Sequence, residues 1–92
     1  MKLPKSIKIG GCEYAVILDP KIAASEDRFG KLNFMSCKIL IAADATPDKQ
    51  CETLFHEMIH GISNHLHLGI KEQLTQQLAH SLYQVLKDSK II

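Results

Sequence analysis

The sequence predicts a small α+β domain, with an antiparallel sheet of two β-hairpins followed by two C-terminal helices. Three observations carry this expectation. Residues 1–45 hold short β-type runs separated by turn signals, and from Thr46 onward the apolar residues recur with a helical period. The chain has 92 residues, 46% hydrophobic and 23% charged, which fits one globular domain.

Ser6 to Leu18 reads as the first hairpin. Ile7 and Ile9 alternate with Lys8, Gly10-Gly11 suits the positive φ of a two-residue turn, and Tyr14, Val16 and Leu18 alternate on the return strand. Asp19-Pro20 ends it, and residues 21–27 form a loop or a single helical turn. Arg28–Phe34 and Lys38–Ala42 form a second hairpin around Met35-Ser36-Cys37. Thr46-Pro47-Asp48 is a helix start: Thr caps, Pro suits the first helical position and Asp favours the positive end of the dipole. This helix occupies 46–68, with Gly69 as terminator, and a second helix occupies 70–88. The whole chain, 1–92, is one domain.

Composition excludes several classes. Eleven basic residues stand against ten acidic ones, and Arg28 is the sole Arg. There is no basic stripe, so a nucleic-acid partner is not expected. The cysteines Cys12, Cys37 and Cys51 are odd in number and include no C-x-x-C pair, which argues against a disulfide framework or a thiolate zinc site. The Met1–Lys5 start has no apolar segment behind it, and the longest apolar run, Ile39–Ala43, is far short of the ~18 residues that span a bilayer. The chain therefore reads as cytoplasmic, with no membrane partner. At this size a folded chain buries little more than ~60% of its surface, so a bound metal can contribute a large share of stability.

All five histidines lie between residues 56 and 80. The run His56-Glu57-Met58-Ile59-His60 is H-E-x-x-H. Positions i and i+4 of a helix are about 40° apart, so both imidazoles leave one face and can grip one metal ion. Glu57, next to the first His, is placed to take a proton from water at that metal. On the helical wheel Cys51, Leu54, Phe55, Met58, Ile59, Ile62 and Leu66 share an apolar arc, and the His pair lies off it. Two core histidines would sit on that arc. A solvated surface pair is the remaining bland reading.

A catalytic zinc usually has three protein ligands and one open position. Ser63 and Leu66 stand where H-E-x-x-H-x-x-G-x-x-H would need Gly and His, so that continuation is excluded. His67 falls on the stripe of the pair but about 10 Å further along a continuous helix, and His65 points away. The second helix offers Glu72 and His80. Its apolar arc holds Leu74, Leu78, Leu82, Val85 and Leu86, with Ala79 and Tyr83 at one edge. Glu72 lies beside that edge and His80 about 80° away. Geometry leans to Glu72 as third ligand, with His80 as the alternative. The bland readings are a dipole-friendly acid for Glu72 and a surface imidazole for His80. Tyr83, on the stripe of Glu72, is either an oxyanion-stabilising phenol or a core-margin aromatic, and the second reading is the plainer one.

The stretch Glu52–Ile62, with Glu72 and Leu78–Leu86 after it, resembles small phage-type H-E-x-x-H zinc metallopeptidase-like proteins, grouped with ImmA/IrrE-like and SprT-like domains. Lys5–Gly11 looks like the first strand of such proteins. The resemblance implies a minimal zincin: a small twisted sheet on an active-site helix, then a helix giving the third ligand in a gluzincin-like way. It implies Zn2+ held by His56 and His60, Glu57 as general base, and a peptide or protein substrate. The sequence thus leads to the expectation of a zinc-dependent peptidase. The alternatives are a non-catalytic zinc-bearing binding or regulatory module, and a metal-free interaction domain whose H-E-x-x-H is accidental.

Overall fold

The computed structural model describes residues 1–92. In chain order the elements are β1 (Ser6–Ile9), β2 (Cys12–Asp19), α1 (Ile22–Glu26), β3 (Gly30–Asn33), β4 (Lys38–Ala42), α2 (Pro47–Leu66) and α3 (Glu72–Asp88). The α+β class is the one expected. The sheet packs one face on α2, and α3 packs on α2.

Both hairpins are antiparallel. In the first, Ile7 lies opposite Tyr14 and Ile9 opposite Cys12. Gly10 and Gly11 have φ of 59° and 86°, which a side-chain-bearing residue adopts only at a cost. Gly10 has a second reason to lack a side chain, because a Cβ there would overlap the His65 ring. The hairpin tip thus rests on the end of α2. In the second hairpin Leu32 lies opposite Ile39. Its turn is held by Asn33, whose Oδ1 accepts from the Met35 and Ser36 N–H groups at 3.1 Å each.

The hairpins join through a parallel pairing of β2 with β4, so the sheet is mixed rather than wholly antiparallel, in the order β1-β2-β4-β3. Val16 lies opposite Ile39 and Leu18 opposite Ile41 in this pair. The physical reason is burial. β4 carries the most apolar run, and a central place leaves Ile39, Ile41 and Ala42 fully buried. The more polar β3 is left on the edge, with one side of its backbone unpaired.

Thr46 caps α2, its Oγ1 accepting from Lys49 N–H at 3.2 Å. The helix ends two residues earlier than Gly69 would dictate. His67 takes the left-handed conformation, at φ 55°. Leu68 N–H donates to Ser63 C=O at 2.9 Å and His67 N–H to Asn64 C=O at 3.4 Å, a Schellman closure.

Two apolar clusters form the core. Ile9, Tyr14, Ile39, Ile41 and Leu54 lie between sheet and α2. Cys51, Phe55, Ala79 and Tyr83 lie between α2 and α3. Gly61 lets α2 approach Ile9, since a Cβ there would come 2.7 Å from Ile9 Cδ1. The expected apolar arcs are only partly the buried ones. Ile62 and Leu66 of α2 are exposed, as are Leu74, Leu78, Leu82 and Val85 of α3. α3 touches α2 along Thr75, Ala79 and Tyr83 instead. The small Thr75 and Ala79 on that line let the helices close up, and Tyr83 packs its ring against Phe55 of α2.

Candidate metal centre

α2 holds His56 and His60 one turn apart on a half-buried face, with their Nε2 atoms 3.1 Å apart. The rotation of α3 brings its first residue, Glu72, over them. Glu72 Oε1 lies 2.7 Å from His56 Nε2, and Oε2 lies 2.7 Å from His60 Nε2. The three donor atoms lie within 4.8 Å of one another. Donors about 2.0–2.1 Å from a tetrahedral ion sit roughly 3.3 Å apart, so this set needs only slight opening to hold one. Two imidazoles and a carboxylate also suit a borderline divalent metal. Burial, reinforced by repulsion from His60, keeps the His56 pKa below its usual value despite the pull of Glu72. A neutral imidazole is the form that ligates.

Glu57 is buried and turns toward β3. A Cβ at Gly30 would overlap Thr53 and come 3.0 Å from Glu57 Oε2, so only glycine lets the edge strand pass so near the carboxyl. Burial pushes the Glu57 pKa from 4.5 to about 7, the charge on Glu72 adds to this, and the Arg28 guanidinium opposes it. A carboxyl titrating near neutrality is suited to take and return a proton.

These groups share one cleft of about 710 Å³ between β3 and the α2–α3 pair. Phe29, Leu32 and Phe34 contribute apolar wall. Arg28, Phe29, Gly30 and Glu52 are cleft residues that the sequence reading passed over. The isolated Arg beside Phe-Gly was the available signal. Arg28 has no carboxylate partner within ion-pair distance. The Lys49 ammonium lies over the Phe29 ring at 4.9 Å and 3.7 Å from Glu52 Oε2.

The other candidates lie elsewhere. His80 is exposed, and its Nδ1 pairs with Glu52 rather than joining the His56–His60–Glu72 group. Tyr83 donates its hydroxyl to Asp48 Oδ1 at 2.7 Å, and Lys87 Nζ binds the same oxygen at 2.7 Å. Burial and that hydrogen bond push the Tyr83 pKa well up, so the phenol is a tie between the helices rather than a cleft group. His65 covers Gly10 and His67 closes α2. No helix is long and apolar enough to cross a membrane. Comparison with known protein families, curated proteins and solved structures finds no match for the chain.

Proposed function

We propose that the chain is a zinc-dependent peptidase with His56, His60 and Glu72 as metal ligands and Glu57 as general base. The observation that carries this is the convergence of three donor atoms from two helices beside a buried carboxyl that titrates near 7. Zinc, when bound, supplies a Lewis acid that acidifies water and polarises a carbonyl. Glu57 takes the proton of the attacking water on its carboxylate and hands it to the departing amine. The unpaired side of β3 offers N–H and C=O groups to an extended peptide, and Leu32, Phe29 and Phe34 offer apolar contact to its side chains. Arg28 gives the cleft an unpaired positive charge that favours a carboxylate-bearing substrate.

Glu57→Gln tests this. The variant should bind one zinc per chain as the parent does, and peptide cleavage should fall by about 10²–10⁴-fold. Unchanged cleavage in that variant would overturn the mechanism. One observation favours a second reading, a zinc-bearing binding module without turnover. The three donors join α2 to α3, whose shared apolar cluster has only four buried residues, so the metal would act as a staple beside the Tyr83–Asp48, Lys87–Asp48 and His80–Glu52 contacts. Zinc-loaded parent protein that cleaves no member of a broad peptide library would favour it.

A further inference from the structure

We propose that the outward face of α3 is a docking surface for a second copy of this chain, in antiparallel register. Leu74, Leu78, Leu82 and Val85 are 47%, 43%, 44% and 50% exposed. At 100° per residue they fall within one stripe about 80° wide, beside the line of Thr75, Ala79 and Tyr83 that meets α2 and centred about 100° round the helix from it. Helices that expose a leucine row of this kind are usually covered.

Two features say what covers it. On the side of the stripe away from α2 lie Gln73, Gln77, Ser81 and Gln84, all uncharged. Such a face meets its own copy with no like-charge repulsion along its length between the two ends. The stripe also maps onto itself when turned end for end about the point between Ala79 and His80. Leu74 then lies opposite Val85, and Leu78 falls within one residue of Leu82. The same operation sets Lys71, at the start of α3, against Asp88, at its end. Both are exposed, and neither takes part in an ion pair within the chain. A twofold axis through this point would make the Lys71–Asp88 contact twice. Glu72, which faces the two histidines, lies on the α2 side of the helix, so the pairing leaves the cleft open.

The helix is 17 residues long, so the face extends about 25 Å, at the small end of specific interfaces. Association should therefore be weak and visible only across a wide concentration range. Sedimentation of the full chain from about 5 µM to about 1 mM should show a monomer–dimer equilibrium. Leu78→Glu should weaken it at least about tenfold while leaving the far-UV spectrum and zinc content unchanged. Lys71→Glu and Asp88→Lys should each weaken it by about threefold to tenfold, each swap acting at both symmetric contacts. Combined in one chain they should restore it. Both swaps also suit the helix dipole, so weakening cannot be put down to loss of α3. A parent chain that stays monomeric at the highest concentration would overturn the proposal. So would a double swap no better than the singles, which would remove the antiparallel register. A monomeric chain that partitions onto phosphatidylcholine vesicles through Leu78 would assign the face to lipid and likewise overturn it.

Discussion

The buried carboxyl of Glu57 makes the metal-free protein sensitive to pH in a direction that can be worked out. Its pKa is near 4.5 in an unfolded chain and about 7 in the fold, raised first by burial and then by Glu72. The fold therefore binds that proton more tightly than the unfolded chain does. Its contribution to stability is complete below about pH 4.5 and is lost as pH rises through about 7. At 1.36 kcal/mol per unit, the fold gives up about 3 kcal/mol across that window. Glu57→Gln keeps the shape of the protonated acid and never ionises. In the presence of chelator, the variant should match the parent at pH 4.5 and exceed it by about 3 kcal/mol at pH 8. His56, whose pKa is depressed, weakens the fold on the acid side, but it is common to both proteins and drops out of the difference. With no Trp in the chain, far-UV circular dichroism is the natural readout of urea unfolding. The midpoint of the variant at pH 8 should lie about 2 M higher. A stability difference that stays the same from pH 4.5 to 8, or that favours the parent at pH 8, would refute the burial of an ionising carboxyl at this position.

Three further outcomes follow from the site and its supports. Zinc at 100 times its dissociation constant should stabilise the fold by about 2.7 kcal/mol, raising the melting temperature by roughly 10–20 °C, and Glu72→Ala should erase much of this gain while His80→Ala should not. Gly30→Ala should destabilise by about 1–3 kcal/mol through its overlap with Thr53, and in a zinc-loaded chain it should impair peptide cleavage more than zinc binding. Arg28→Gln should move the Glu57 titration upward in the metal-free protein, because the guanidinium is the one charge that holds it down; carbon-13 chemical shifts of the Glu57 carboxyl would report this.

Local chemistry made much of this fold legible. Gly10-Gly11 and Thr46-Pro47-Asp48 each had one reasonable conformation, and both adopt it. The H-E-x-x-H spacing set the two imidazoles on one face of α2, and the edge position of Glu72 on the wheel put it within reach of them. The parallel joining of β2 and β4 was not legible, because a period of two says which face a residue takes and not which strand lies beside it. The rotation of α3 was misread for a related reason. Hydrophobicity picks out the leucines, but close contact between two helices selects small residues, and Thr75 and Ala79 won that line. Arg28 and Gly30 carried only the faint signal of a lone Arg beside Phe-Gly, since they reach α2 only through the placement of β3 at the sheet edge.

That edge has a further consequence. An unpaired strand side is a template for unwanted strand addition as well as for a substrate, and soluble folds blunt it with brevity and charge. β3 has only four residues, about 13 Å of backbone. Its Lys31 carries an ammonium held 3.1 Å from Glu26 on α1, which ties the edge to the preceding helix. A segment laid along it gains a few main-chain hydrogen bonds and then runs out of partner. Recognition by such an edge is short by construction: any segment it took up would be selected over the few residues beside His56, His60 and Glu72, and the remainder of a long chain would go unread.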